Sequence, residues 1–210
     1  MRVLVWNVHG FRAGVDRVAE AAAGLEPDLA LITECSTARR LHRFADVLGM
    51  SVHHGSLPPL LRRARDAVLI REPLRLESFE SHGFRDSARW HPRGVAIARL
   101  SGGLTVAVTH LGLSGEERRR HGAELIEVLG DDVPVILGGD LNELPGRGAT
   151  RMLSEHFEDA WTEEGGETFP ARNPSSRIDY VFTRGMSVSG VWVPGGASLA
   201  AASDHLPLVV

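Results

Sequence analysis

The sequence predicts an α+β fold, two β-sheets packed face to face with helices on their outer faces, from the order of its apolar runs. The chain opens strand, helix, strand. Its middle is a series of short β-like runs cut by Gly, Pro and Arg-rich turns, and a helix followed by an apolar strand then recurs before a strand-rich end. At 210 residues the chain suits one well-covered core, so a single domain over residues 1–210 is expected. No internal linker is evident, and no repeat with a period of roughly 20 to 50 residues stands out.

Each element follows from local pattern. "RVLVWNV" is an apolar strand; "VDRVAEAAAGLE" places Val15, Val18, Ala19 and Ala22 on one helical face; "PDLALITE" returns to strand. "TARRLHRFADVLG" sets Leu41, Phe44, Ala45 and Leu48 on a second helical stripe that stops at Gly49. From residue 51 to 112, "SVHHG", "DAVLIRE", "RLESFES", "GVAIARL" and "LTVAVTHL" read as mostly antiparallel strands. "SGEERRRHGAELIEVLG" is a helix capped by Ser114, with Glu117 three positions on, and it leads into the buried-looking strand "VPVILGGD". Gly146 and Gly148 permit a turn before a short helix near "GATRMLSEH", and "RIDYVF", "VSGVWV" and "LPLVV" complete the strands. Low complexity is confined to "AEAAAG" and "SLAAAS".

Composition excludes several classes. A hydrophobic share of 43% with 24% charged residues is that of an ordinary globular protein, so neither disorder nor membrane residence is indicated. The net charge of −4 argues against a chain that holds nucleic acid by general electrostatic attraction, although a local basic face remains compatible with it. All 23 basic residues are Arg, which we attribute to genome composition; Arg118, Arg119 and Arg120 share a helix with Glu116, Glu117 and Glu124, so local charge pairing accounts for them. The lone Cys35 reads as a small buried residue and can form no internal disulfide. With no signal peptide and no transmembrane run of ~18 apolar residues, the expected location is cytoplasmic.

The chemistry is read from where the polar residues fall. "VLVWN" ends in Asn7, "LALITE" in Glu34, "VAVTH" in His110 and "VILGGDLN" in Asp140 and Asn142; "RID" carries Asp179 and "SDH" carries Asp204 and His205. One acid at a strand end is ordinarily a cap or a solvated loop residue. Six apolar strands that all end in carboxylate, carboxamide or imidazole describe a common site if those ends converge. Four carboxylates gathered there would repel one another unless a cation or an imidazolium compensated them. Oxygen donors without a Cys cluster or an HExxH helix suit Mg²⁺ or Mn²⁺ rather than zinc, and a cation of that kind with open positions suggests phosphoester hydrolysis.

"WNVHG", "LITEC", "VTHL", "GGDLNELP", "RIDYVF" and "SDHLPLV", in this order over residues 3 to 209, resemble the endonuclease/exonuclease/phosphatase superfamily, the DNase I-like fold. That group includes apurinic/apyrimidinic endonucleases, sphingomyelinases and inositol polyphosphate 5-phosphatases. The resemblance implies a four-layer α/β/β/α sandwich with the site at one end. It implies Glu34 as the principal Mg²⁺ ligand, Asn7 beside it on metal or phosphate, and Asp204 near the metal. Asp140 would orient or deprotonate the attacking water, Asn142 would hold that water or the phosphate, and His205, oriented by Asp179, would stabilise the phosphoryl oxygens with His110.

Substrate contacts are expected from His9, Arg89 and Arg93, with Arg85 nearby; Arg85, Arg89 and Arg93 flank Trp90 and His91 in one irregular loop. His9 stands where the repair endonucleases carry Asp, which resembles other branches of the superfamily. The expected activity is Mg²⁺- or Mn²⁺-dependent hydrolysis of a phosphoester, more in keeping with a phosphodiester. A DNA or RNA nuclease, a hydrolase of a lipid headgroup or small metabolite, and a catalytically silent binding domain are the alternatives.

Overall fold

A computed structural model describes residues 1–56, 64–87 and 92–210. The strands are β1 (Val3–Asn7), β2 (Leu29–Thr33), β3 (Ser51–Ser56), β4 (Ala64–Ile70), β5 (Leu76–Gly83), β6 (Gly94–Leu100), β7 (Thr105–His110), β8 (Val135–Asp140), β9 (Glu158–Asp159), β10 (Asp179–Arg184) and β11 (Leu208–Val209). The helices are α1 (Val15–Ala23), α2 (Ala38–Leu48), α3 (Gly115–Leu129), α4 (Gly148–Ser154) and α5 (Ala197–Ala202). One sheet runs β11-β1-β2-β4-β3 and the other β5-β6-β7-β8-β10-β9.

Side-chain alternation explains why the two sheets stack. Along β1, Leu4 and Trp6 point to a core shared with α1, α2 and α5, whereas Val3 and Val5 enter the core between the sheets. Along β8, Val135 and Leu137 face Leu125, Leu129 and Leu153 of α3 and α4, and Ile136 faces the intersheet core. With both faces of each sheet covered, the central strands read as continuous apolar runs and the layers are helix, sheet, sheet, helix. This is the expected sandwich.

The helix boundaries have local causes. Thr37 Oγ1 accepts the Arg40 N–H at 3.4 Å to start α2, and Gly49, at φ 62°, ends it in the left-handed region. Ser114 Oγ accepts the Glu117 N–H at 3.2 Å, the cap expected for α3. Among the described residues no helix is long and apolar enough to cross a membrane.

One expectation is corrected. "VSGVWV" does not form a strand of the sheet: only Trp192 pairs, through a two-way hydrogen-bonded bridge with Val209, because β11 is two residues long and offers little edge. The low-complexity run "SLAAAS" lies largely within helix α5, where Leu199 and Ala202 pack into the core, in keeping with alanine as the best helix former.

Two glycines of β8 allow close contacts, Gly138 with the opposite sheet and Gly139 with the neighbouring strand β7. A Cβ on Gly138 would lie 2.7 Å from Val5 Cγ2 and 2.8 Å from Leu31 Cδ1 of the opposite sheet. Gly139 has φ +146°, and a Cβ there would collide with the Thr109 carbonyl oxygen of β7. Gly139→Ala is therefore expected to destabilise the protein by at least about 2 kcal/mol, through strain and a backbone clash, measured as a lowered urea midpoint with unchanged m-value.

Candidate active site

The register of four strands builds a polar row at one end of the sandwich. Parallel β7 and β8 place His110 opposite Asp140, and antiparallel β10 places Asp179 opposite Asp140 on the other side. On the facing sheet, Asn7 ends β1 opposite Thr33, the last residue of β2, and Glu34 follows at once. Asn7, His110 and Asp140 close their strands and Asp179 opens antiparallel β10, so all four polar residues fall at the end of the sandwich where the apolar runs stop.

Asp140 is the hub. Its Oδ2 accepts the Asn7 Nδ2–H at 3.0 Å, a bond that spans the two sheets, and its Oδ1 accepts the Asn142 N–H at 2.8 Å. The same Oδ2 lies 3.3 Å from His110 Nε2 and 3.7 Å from His205 Nε2. Asn142 sits at φ 51°, and its amide is oriented by donation to the Leu111 carbonyl at 3.0 Å; its other N–H meets His110 Nε2 at 3.0 Å. His110 Nε2 is thus assigned as an acceptor.

His205 is carried into this row by the chain end. Trp6 Nε1 donates to the His205 carbonyl at 2.8 Å, Ser203 Oγ donates to the Asn7 carbonyl at 2.6 Å, and the His205 N–H donates to Ser203 Oγ at 3.3 Å. The imidazole Nδ1 lies 2.8 Å from Asp179 Oδ2, which also accepts the Thr168 hydroxyl at 2.6 Å, and the ring of Phe169 packs against it at 4.8 Å. Asp179 Oδ1 is buried and has no hydrogen-bond partner among the described residues.

The two imidazoles carry different charge. Burial opposes protonation of His205, but Asp179 by charge and hydrogen bond, then Asp140 and Asp204, outweigh it and raise its pKa to about 9. Burial lowers His110 to about 4, with Asp140 acting against the shift and Arg93 and His205 reinforcing it. At neutral pH His205 is an imidazolium and His110 is neutral, so the two do not act alike. Burial also raises the Asp140 carboxyl, with His110 and His205 lowering it and Asp179 raising it.

The structure gathers Asn7, Asp140, Asn142, His110, Asp179 and His205 into one cluster, the first four joined by hydrogen bonds and the bonded Asp179–His205 pair lying 3.7 Å away from Asp140 through His205 Nε2. Glu34, at φ 57° just past β2, is half-buried at the same end, and its carboxylate has no hydrogen-bond or ion-pair partner among the described residues. Asp204 stays at the rim: its side chain is 41% exposed, and Oδ1 lies 3.3 Å from His9 Nδ1. Arg93 is half-buried, its Cα neighbour Gly94 pairs with His110, and its charge reaches that ring. Arg85 is turned away, 3.7 Å from Glu124 and 3.6 Å from Glu127 on the surface of α3, where acidic partners compete for its charge. Arg89, with Trp90 and His91, lies outside the described residues.

Sequence reasoning missed the support beneath this row. Thr168 lies in an irregular segment with no periodicity to mark it. Arg118, expected to pair within its helix, instead reaches Glu143 at 3.0 Å and the Leu113 carbonyl at 2.6 Å; Arg120 does keep its pair with Glu116 at 2.9 Å. Glu143 Oε2 accepts the Ala149 N–H at 2.5 Å at the start of α4, and its carbonyl accepts the Tyr180 hydroxyl at 2.8 Å. One buried ion pair therefore ties the segment after His110 to the segment after Asn142. The signal available was an acid three residues after an apolar strand, inside "DLNEL".

Asp140, Asp179 and His205 offer ligand atoms within 4.8 Å of one another, a buried group that could bind a metal. Among the described residues, Asp179 Oδ1, Thr33 Oγ1 and the Glu34 carboxylate are oxygens at this end without a hydrogen-bond partner, and Asn7 Oδ1, which accepts the His9 N–H at 3.0 Å, retains a second lone pair. All are oxygens, a donor set that fits a hard divalent cation.

Replacing Asp179 by Asn removes the charge that keeps His205 protonated. In the metal-free protein, the His205 imidazole should titrate near pH 9 in the wild type and fall by more than one unit in Asp179→Asn, read from its ring nitrogen shifts by NMR. Equal titration in the two proteins would remove Asp179 as the cause.

Comparison with known proteins follows the same lines. The structure resembles an endonuclease/exonuclease/phosphatase from Bacteroides vulgatus, with a TM-score of 0.81 at 16% identity over 99% of this chain and 96% of that one. It also resembles D. rerio TDP2 complexed with single-strand DNA product, with a TM-score of 0.76 at 18% identity over 100% and 97%. A mannosyl-6-phosphatase from Bacteroides thetaiotaomicron gives 0.75 at 15% identity over 100% and 98%. No curated protein matches the sequence. The model of the Endonuclease/Exonuclease/phosphatase family matches residues 4–205, which takes in the strand-end residues from Asn7 to His205, and the chain belongs to that family.

Proposed function

We propose that this protein is a Mg²⁺- or Mn²⁺-dependent phosphoester hydrolase acting on a phosphodiester, with Asp140 as the group that activates water. The observation that carries this reading is the opposition of Asp140 and Asp179 across β8 and β10, with the His205 imidazolium bonded to one and 3.7 Å from the other. Such a row is costly to a fold unless its charges are used, and perturbed titratable groups gather at sites of chemistry.

Each residue has a physical task. Burial makes Asp140 a stronger base, and the Asn7 and Asn142 N–H groups fix both of its oxygens so that a proton can be taken without reorientation. The His205 imidazolium, held by Asp179, offers its Nε2–H to a phosphoryl oxygen as charge develops there. Neutral His110 contributes position rather than charge, holding Asn142 in register with Asp140, and Arg93 adds a cation beside it. A divalent cation held by Glu34 and Asn7 would supply Lewis-acid polarisation of the phosphoryl group.

Asp140→Asn should reduce kcat on bis(p-nitrophenyl) phosphate by about 10²-fold or more, as loss of a positioned base does. Turnover near the wild-type rate would reject Asp140 as the base. EDTA should abolish activity and added Mg²⁺ or Mn²⁺ should restore it; absence of turnover by the metal-supplied wild type would favour a silent binding domain. Because His205 must be protonated, kcat/KM should fall as pH rises through about 9, and the fall should move to lower pH in Asp179→Asn. Plasmid DNA, single-stranded RNA and a phospholipid, assayed alongside, separate a nuclease from a hydrolase of smaller substrates.

A further inference from the structure

We propose that the cleft beside the catalytic row is a second anion subsite, in which Arg12 and Arg172 hold a phosphate of the substrate other than the one that is cleaved. This rests on the hydrolase reading above and adds the substrate class: an organic phosphoester carrying a second phosphate. The cleft, about 420 Å³, lies between the turn His9–Phe11, the Pro170–Arg172 segment and the end of α5 where it runs into Asp204. That volume falls in the range of small-ligand sites, roughly 300 to 1,000 Å³.

The cleft is joined to the row by hydrogen bonds. The His9 N–H donates to Asn7 Oδ1 at 3.0 Å while Asn7 Nδ2 holds Asp140, and the Ala171 N–H donates to the carbonyl of Asp204, the residue before His205, at 2.7 Å. A substrate whose scissile phosphate meets His205 therefore has this cleft as its adjoining space.

Charge selects what enters. Arg12 Nη1 lies 2.8 Å from His9 Nε2, and His9 Nδ1 lies 3.3 Å from Asp204 Oδ1. Arg12 thus directs one N–H to a ring nitrogen rather than to a carboxylate, and Asp204 Oδ1 already faces His9 Nδ1. Arg172 is exposed and has no hydrogen-bond or ion-pair partner among the described residues. Arg12 and Arg172 line the cleft with Asp204 as its one carboxylate, and guanidinium forks match phosphate oxygens in pairs. The remaining wall, from Ala13, Pro170, Ala171 and Ala202, is small and apolar, leaving room for the carbon skeleton between two phosphates.

The test compares thymidine 5′-(p-nitrophenyl phosphate) with its 3′-phosphorylated counterpart, which differ only in the second phosphate. The wild type should favour the 3′-phosphorylated ester by about tenfold or more in kcat/KM, mainly through KM; Arg12→Ala/Arg172→Ala should bring the ratio near one, and Arg172→Lys should lose less of it than Arg172→Ala. No preference in the wild type, or a preference that survives the double substitution, overturns the subsite. If neither ester is cleaved, it is the hydrolase reading that fails. Calorimetric titration of thymidine 3′,5′-bisphosphate then decides the subsite alone: binding weakened in the double variant supports it, and equal affinity in both proteins refutes it.

Discussion

Two carboxylates stand directly opposite each other on neighbouring antiparallel strands, and the rest of the site is organised around that repulsion. Asp140 and Asp179 occupy a cross-strand pair where like charges destabilise a sheet, and both are buried. The imidazolium of His205 lies between them, and amide and hydroxyl donors from Asn7, Asn142 and Thr168 bond three of their four oxygens, leaving Asp179 Oδ1 without a partner among the described residues. The compensation comes from both ends of the chain: β1 brings Asn7 and the segment before β11 brings His205. The site is therefore assembled only when the first and last parts of the chain are docked together.

That docking has its own scaffold. Trp6 and Ser203 lock the C-terminal turn onto β1, while Gly138 and Gly139 allow β1, β2 and β7 to come close enough to β8 for Asn7 to reach Asp140. On the far side, the Arg118–Glu143 pair is largely buried and further bonded to carbonyls and to the start of α4. A buried pair of this kind adds uncertain net stability, but removing one partner strands the other, so it specifies one arrangement of the two segments that present His110 and Asn142.

The two sides of the site differ in what they offer. Toward the intersheet core the groups are buried, bonded and fixed, which suits proton transfer and charge stabilisation. Toward solvent, His9, Asp204, Arg12 and Arg172 line a small cleft with guanidinium donors to spare, which suits recognition. Reaction chemistry and substrate choice are thus carried by adjacent but separately adjustable residues.

By itself the sequence determined the layers, most elements and the identity of the central polar residues. Apolar runs with period two or 3.6 are local quantities, and polar residues that end them are visible without knowing the fold. Tertiary structure decided which of those residues meet. Asp204 and Arg85 look equally suited to the site in sequence, yet the fold sets Asp204 at the rim beside His9 and pairs Arg85 with Glu124 and Glu127 on α3. It also decided protonation: His110 and His205 look alike in sequence, and only burial without a bonded carboxylate in one case, and with Asp179 in the other, separates a neutral ring from a cation. Thr168, Arg118 and Glu143 stayed hidden because contacts between residues far apart in the chain leave no local pattern.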